Sequence, residues 1–491
     1  MSRHSESSSV TPFSRRQFLL SSLGIASCVG ATATTVSCAR KQRPNILLIL
    51  VDDWGWTDMG AYGSTFYETP NLDKAASEGV RFTSAYASCP VCSPTRAAVM
   101  TGKYPPRLNI TDWIPGRPQH EFSAVIMPED SDHLALEETT IAEVLKPLGY
   151  STASIGKWHL GGEGFGPTGQ GFDVSIAGSE KGSPSSYFAP YQEQFPGIEN
   201  PPEGESLTRR LCDEAEKYLE SVKDKPFFLY YPMYAVHTPL QAEPEVVDKY
   251  AKKADPRKYQ HNPTYAAMIE SLDDTVGRLR KKLVDLGIDK KTIVIITSDN
   301  GGLRYPGTRT ELVTSNHPLR AGKGHLYEGG TRVPFIIVDP LAKSWVEDTP
   351  VASIDILPTI AAYAGAPVPK GVDGVSLKGL VREHWRLAER DLYWHYPHYS
   401  NQGGFPGGSI RSGDWKLIEN YDTGEVELYN LRDDIHEEYD VSKKNPLKVQ
   451  ELQAKLDAWR KEVGAQMPTK NPNYDPARAD QGLTGSRREN Q

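Results

Sequence analysis

The pattern of apolar and polar positions opens with an unbroken run, Asn45-Ile46-Leu47-Leu48-Ile49-Leu50-Val51, that stops at Asp52-Asp53. A run without alternation predicts a strand buried on both faces, as in the centre of a parallel sheet flanked by helices. A second such run over 292–297 ends in Ser298-Asp299-Asn300-Gly301-Gly302, and shorter ones over 226–231 and 333–338 predict further strands. Helical periodicity falls between them, at 139–148, 207–222 and 265–286. Strands alternating with helices predict an α/β fold: a large central mixed, mostly parallel sheet sandwiched by helices. After about residue 385 the pattern changes. Segments 415–418 and 425–429 read as an antiparallel hairpin through Asp422-Thr423-Gly424, followed by a helix over 446–463. The polar, Pro-containing tail after Pro468 reads as disordered. The chain therefore divides into a catalytic-sized part, 39–384, and a smaller C-terminal α+β part, 385–491.

Residues 1–38 stand apart. Ser14-Arg15-Arg16-Gln17-Phe18-Leu19-Leu20 followed by a small, apolar stretch to about Ala33 has the form of a twin-arginine export signal. The stretch is too short for a membrane span, which needs about 20 apolar residues. Thr35-Val36-Ser37-Cys38 resembles a lipoprotein processing box, with Thr35 where an aliphatic residue is usual. A lipid anchor through Cys38 and a freely exported chain, periplasmic or secreted, are both open.

Composition narrows the partners. With 491 residues, 55 Lys plus Arg and 63 Asp plus Glu, the net charge is −8, which argues against a nucleic-acid partner. An anionic ligand must then be met by a local cluster of cations. Five cysteines are too few for a disulfide framework. Cys89 and Cys212 could pair with each other or stay free.

Ligands of such sheets gather beyond the carboxyl ends of the strands. There Asp52, Asp53, Asp299 and Asn300 supply hard oxygen donors from two separate strands, as a Ca²⁺ or Mg²⁺ site requires. Each pair alone reads equally as a helix or turn cap. The segment Cys89-Pro90-Val91-Cys92-Ser93-Pro94-Thr95-Arg96-Ala97-Ala98-Val99-Met100-Thr101-Gly102-Lys103 contains a CxxC, but no second CxxC exists to complete a zinc site.

Read from Cys92, this segment is Cys-x-Pro-x-Arg followed by Ala-Ala and Thr-Gly, and here the chain resembles the type I sulfatases. Gly156-Lys157-Trp158-His159-Leu160-Gly161 matches that family's second signature. Tyr234-Ala235-Val236-His237-Thr238-Pro239 and Gly322-Lys323-Gly324 follow in the family's order. The resemblance runs from about 44 to 338 and continues faintly to 431. It implies an alkaline phosphatase-like fold and a cysteine at 92 oxidised to formylglycine by a maturation enzyme. It further implies a divalent cation, usually Ca²⁺, held by Asp52, Asp53, Asp299, Asn300 and residue 92. In this assignment a hydroxyl of the hydrated aldehyde attacks sulfur, while His237 and Lys323 contact the sulfate and support the departing alcohol. Arg96 orients residue 92, Lys157 bridges it to the sulfate, and His159 takes the proton of the second hydroxyl so that sulfate is eliminated. Lys103 and Glu328 read as supports.

The resemblance leaves the substrate thinly specified. The stretch Thr111-Asp112-Trp113-Ile114-Pro115-Gly116-Arg117-Pro118 offers an aromatic face and a guanidinium, which suit a sugar ring and its substituents and suit equally a packed loop with a tryptophan anchor. Arg304, His317 and His398 are further candidate substrate contacts, and Trp394, His395, His398 and Arg411 suggest a second polar, aromatic cluster at the pocket rim. The Trp-Ile-Pro-Gly-Arg stretch resembles sulfatases acting on sulfated galactose or N-acetylgalactosamine in polysaccharides. The expected activity is thus hydrolysis of a sulfate ester on a sulfated carbohydrate. A phosphonate or phosphate monoester hydrolase of the same superfamily and a non-catalytic lipoprotein that binds sulfated glycans are the alternatives.

Overall fold

β1 (Asn45–Val51) is buried at all seven positions, and its side chains alternate between two separate apolar layers. Leu47, Ile49 and Val51 pack with α1 (Pro70–Glu78), α3 (Leu207–Val222) and α4 (Pro263–Asp285). Ile46, Leu48 and Leu50 pack with α2 (Cys92–Thr101) and α5 (Ile356–Ala364). Both faces of the strand are thus covered by helices, which is why its sequence shows no alternation. The computed structural model describes residues 43–191, 195–255, 257–305 and 311–479. The expected export signal and Cys38 lie outside them. No helix among the described residues is long and apolar enough to cross a membrane.

The large sheet has eight strands. Besides β1 they are β2 (Val80–Phe82), β3 (Ser151–Ile155), β4 (Val174–Ile176), β5 (Phe227–Pro232), β6 (Thr292–Ser298), β7 (Phe335–Val338) and β8 (Trp345–Glu347), in the order β8-β2-β7-β6-β1-β5-β3-β4. The block β6-β1-β5-β3-β4 is parallel throughout, and β7 runs antiparallel to β6 and β2. The sheet is mixed and mostly parallel, as expected. Its register sets the strand exits: Val51 pairs with Ser298, so Asp52-Asp53 and Asp299-Asn300 leave the sheet side by side.

The C-terminal part carries a four-stranded antiparallel sheet, β9 (Leu392–Tyr396), β10 (Gly407–Ser412), β11 (Trp415–Asn420) and β12 (Val426–Asn430), and α6 (Pro446–Val463). The predicted hairpin is its β11–β12 pair. Two expectations are corrected. The helix predicted over 139–148 is α-helical only at Ile141–Leu145 and tightens to 3₁₀ over Lys146–Leu148, because Pro147 lacks the N–H that would continue the α ladder. The tail is ordered through 479: Thr469–Lys470 pairs with Val125–Ile126, and the Asn471 amide donates to the carbonyls of Glu121 and Ser123. One strand bridge and one buried amide outweigh its polar composition.

Candidate active site

Four neighbouring parallel strands end at one edge of the sheet, and each delivers polar residues to it. β1 leads into Asp52 and Asp53, β6 into Asp299 and Asn300, β3 into Lys157, and β5 into His237. Backbone hydrogen bonds tie these exits together: Asp52 N to Ala235 O, Val236 N to Asp52 O, Lys157 N to Pro232 O and Asp299 N to Val51 O. α2 begins at Cys92, so the unsatisfied N–H groups and the positive end of its dipole sit at the proposed nucleophile. The entry turn is closed by Thr95, whose hydroxyl accepts from Cys89 N and donates to Cys89 O.

The charges are buried and interlocked. Arg96, one turn along α2 from Cys92, donates through Nε to Asp299 Oδ2 at 2.9 Å and through Nη1 to Lys157 O, while its Nη2 makes an ion pair with Asp299 Oδ2 at 2.8 Å. Lys157 Nζ reaches Asp52 Oδ2 at 2.7 Å, and Lys323 Nζ reaches the Asp53 carboxylate at 2.7 and 2.9 Å. Asn300 Nδ2 donates to Asp53 Oδ1. His237 Nε2 stands 3.7 Å from Asp53 Oδ2, while its Nδ1 faces Thr238 O at 2.8 Å. The ligand atoms of Asp52, Asp53, Cys92 and His237 lie within 4.8 Å of one another.

The titrations follow from burial and neighbours. Burial and the facing Asp299 carboxylate push Asp52 up to about 8. Burial acts the same way on Asp53, but Lys323, His237 and the Asn300 amide outweigh it and hold that group at about 2. Burial raises the Cys92 thiol to about 11 against the pull of Lys157 and Lys323. His237 is lowered to about 3 by burial and by Lys323, and His159 falls well below its ordinary value for the same kind of reason, burial first and then Lys157. Both rings are neutral at pH 7. His159 Nε2 lies 2.6 Å from Ile114 O, so that nitrogen carries the proton, and the buried Nδ1 has no partner.

These groups suit a divalent cation. Asp52 Oδ1 and Asn300 Oδ1 are buried acceptors with no hydrogen bond, beside a carboxylate, Asp52, that carries excess proton affinity. Unanswered hard oxygens in that setting match the donor chemistry of Ca²⁺. Asp299 is more committed, with Oδ2 on Arg96 and Oδ1 on the Asp53 N–H.

The sequence-predicted substrate contacts divide. The loop carrying Trp113 and Arg117 lies directly on the site: Ile114 N donates to Ser93 Oγ and Ile114 O meets His159. Trp113 is half-buried, and Arg117 donates to Tyr399 O. Arg304 abuts Gly322, next to Lys323. His317 instead stacks on Tyr259 at 3.8 Å. His398 is buried, bonded to Thr111 Oγ1 at 2.8 Å and facing Asp130. The expected rim cluster is corrected: Trp394 donates to Ala87 O, His395 joins Tyr421 to Gln466 O, and Arg411 binds Tyr86, all inside the junction with the C-terminal sheet. Lys103 pairs with Glu138 at the far end of α2. Cys89, Cys92 and Cys212 are all free thiols.

The sequence reading missed the frame behind Asp53. Asp53 adopts φ +59°, costly for a non-glycine residue. Asp58 braces this turn, accepting from Gly55 N, Tyr265 OH, Thr314 Oγ1 and Gln260 Nε2. Asn316 continues the frame, binding Gly302 on both its N–H and its carbonyl and also Ala321 O. Its only signal was the density of Asp, Gly and Trp over 52–58.

Known proteins resemble this chain in sequence and fold. The "Sulfatase" family model matches residues 44–366, and the "N-sulphoglucosamine sulphohydrolase, C-terminal" model matches 321–463. A "Sulfatase" of Formosa agariphila is 33% identical over 85% of this chain and 89% of its own. The N-acetylgalactosamine-6-sulfatase of Sus scrofa is 34% identical over 72% of this chain and 69% of its own. The solved structure of Ps i-CgsB in complex with k-i-k-neocarrahexaose aligns with TM-score 0.70 at 29% identity, covering 88% of this chain and 95% of that one.

Proposed function

This chain belongs to the sulfatase family and is a sulfuric ester hydrolase, and from that premise we propose that it hydrolyses a sulfate ester of a sulfated carbohydrate through formylglycine made from Cys92. The reading rests on one observation: Arg96, Lys157 and Lys323 converge with Asp52, Asp53 and His237 on the N-terminus of α2 at Cys92. In an acidic chain this is the local cluster a sulfate monoanion needs.

Asp52, Asp53, Asn300 and residue 92, with Asp299 behind them, would hold Ca²⁺, which when bound supplies Lewis acidity at the sulfate oxygens and at the nucleophile. Formylglycine supplies a hydrated aldehyde whose two hydroxyls serve attack and release in turn. The remaining work falls to side chains as they stand. Lys157 and Lys323 turn their ammonium groups to the sulfate oxygens. Lys323 also lies where the departing alcohol needs a proton or a positive charge, and its own proton affinity is raised, burial notwithstanding, by Asp53 and Cys92. Thr238 O fixes a proton on His237 Nδ1 and leaves Nε2 as an acceptor facing the site, which can donate to a sulfate oxygen only after taking up a proton. His159 offers Nδ1 as the base for the release step, its tautomer set by Ile114 O. Arg96 holds Asp299 and the Lys157 backbone in place.

The carbohydrate assignment is supported by Trp113 and Arg117 over the site and by the sugar-directed relatives, the N-acetylgalactosamine-6-sulfatase and the neocarrahexaose-bound structure. The galacto configuration is our reading of the Trp113–Arg117 stretch. We also read residues 39–384 as the catalytic part, 385–491 as the part closing one side of the cleft, and 1–38 as an export signal, so that maturation of Cys92 precedes folded export to the periplasm. A phosphate or phosphonate ester would favour a second metal set, and among the described residues only one group of potential ligands gathers. The test is a screen of defined sulfated mono- and oligosaccharides with sulfate release as readout, beside matched phosphate esters. Faster turnover of the phosphates would overturn the reading. An unmodified thiol in peptide mass spectrometry over 89–103 of native-host protein would favour the glycan-binding lipoprotein.

A further inference from the structure

Lys323 stands between two glycines, and what fills the space of their missing side chains differs on the two sides. A Cβ at Gly322 would meet Gly302 O at 2.5 Å, Asn316 Nδ2 at 2.7 Å and then Arg304 Cγ at 3.0 Å, and one at Gly324 would collide with Ser400 Oγ and meet Gln402 Cβ at 3.0 Å. Two chain segments distant in sequence therefore close on the backbone of the lysine assigned to the departing alcohol. Gly324 N donates to Pro90 O, two residues before Cys92, so this flank is continuous with the nucleophile turn. The loop 398–404 is itself held in place. Tyr399 O accepts from Arg117, Tyr399 OH reaches Asp422, and His398 binds Thr111. Asn401 and Gln402 at its tip are half-buried, and Gln402 Nε2 donates to Asn401 Oδ1.

Arg304 differs from the other arginines on the segments that build the site. Arg96 is taken by Asp299, Arg320 by Tyr429 OH and Glu437 O, and Arg332 by Glu328, Thr83 O and Ser84. Arg304 is half-buried, lies over the Tyr305 ring at 5.3 Å, and has no carboxylate partner among the described residues. In a chain with 63 acidic against 55 basic side chains, a half-buried guanidinium with no anion among the described residues, on a stem that abuts Gly322 next to Lys323, is a charge available to a ligand.

Resting on the reading of this chain as a carbohydrate sulfatase, we infer that the sugar bearing the scissile sulfate presents a second anion, a sulfate ester or a carboxylate, to Arg304, while Gln402 reads its hydroxyls from the opposite flank of Lys323. The amide of Gln402 both donates and accepts, which suits a hydroxyl, whereas the guanidinium fork suits an oxyanion. The two residues are specificity determinants for the leaving group and take no part in sulfur transfer.

The experiment uses the full chain matured by a formylglycine-generating enzyme, with Ca²⁺, on three probes: an aryl sulfate that carries no sugar, a monosulfated galactoside, and the same galactoside with a second sulfate. The wild type is expected to favour the disulfated sugar over the monosulfated one by at least about tenfold in kcat/KM. R304A should erase that preference, chiefly through KM, and should cut turnover of the disulfated sugar at least about tenfold more than that of the aryl sulfate. R304K should restore part of it. Q402A should lower both sugars relative to the aryl sulfate. A preference unchanged in R304A, or equal losses on all three probes, would overturn the inference, the latter by reducing Arg304 to a prop for Lys323. If the matured wild type released sulfate from none of the probes, the sulfatase reading itself would fall, a result distinct from either of those.

Discussion

Two buried ion clusters lie on either side of the segment 322–332, and they differ in whether their charges are answered. On one side, Lys416 of β11 is fully buried between Glu328 and Glu437 at 2.9 and 3.0 Å. Glu328 also binds Arg332 and Tyr86, and its own N–H donates to Glu437 Oε2. This cluster is nearly closed, since its carboxylates face cations and only Glu437 Oε1, 3.0 Å from Lys416 Nζ, lacks a hydrogen bond, and it joins the C-terminal sheet to the loop carrying Lys323. On the other side, the sheet-edge cluster around Cys92 leaves Asp52 Oδ1, Asn300 Oδ1 and His159 Nδ1 without hydrogen bonds although all three are buried. Unanswered buried polar atoms are costly, about 1–3 kcal/mol each. The second cluster leaves these three buried polar atoms unanswered where the first leaves one, which is the pattern expected of a site that receives a cation and a ligand.

That contrast can be broken at several points, the greatest loss of turnover coming from the nucleophile. Cys92→Ala should abolish turnover, by at least about 10⁴-fold given how strongly losses at a covalent nucleophile dominate, while circular dichroism and the melting temperature stay near wild type. Retained turnover would place the nucleophile elsewhere.

Lys323→Ala comes next, with a loss of about 10²–10³-fold in kcat, the scale for removing one charge from a developing anion. Steady-state kinetics on an aryl sulfate checks it, and a loss confined to KM would contradict the role given to Lys323.

Removal of Ca²⁺ tests the open cluster through pH. Asp52 sits near 8 in the folded chain against 3.8 unfolded, so without metal it holds a proton that the unfolded chain has released. Its contribution to stability is therefore present at low pH and is lost as pH rises through about 8. A cation must displace that proton, so Ca²⁺ affinity should increase from pH 6 to pH 8 and flatten above it. Calcium-dependent melting shifts across that range measure the effect, and affinity that falls with rising pH would count against Asp52 as a ligand.

The smallest effect on turnover is expected in the closed cluster. Lys416→Met strands two buried carboxylates and should cost about 3–5 kcal/mol of stability, read by denaturant unfolding, while kcat per folded molecule drops far less than in Lys323→Ala. A kcat loss equal to that of Lys323→Ala would erase the distinction between the clusters.

Much of this was legible in the chain. The apolar runs located β1 and β6 because strands covered on both faces leave no polar position to alternate. The motifs around Cys92, Lys157, His237 and Lys323 identified chemistry because each places unusual residue types at a strand or helix end. Less legible were groups whose meaning depends on a distant partner. Asp58 looks like any turn aspartate until Tyr265, Thr314 and Gln260 are seen to meet it. His398 and Trp394 look like binding residues by type, yet burial commits His398 to Thr111 and Trp394 to the Ala87 carbonyl. The Thr469–Lys470 segment looks disordered by composition and is held by two backbone pairings with 125–126.

The sequence by itself determined the α/β class, the strand ends and the residue types gathered there, since those depend on local periodicity and on chemistry carried by single side chains. The tertiary structure decided which charges answer one another and which are left open. Ion pairing and burial join positions such as Asp53 and Lys323, 270 residues apart, and no local pattern encodes whether a buried oxygen finds its donor.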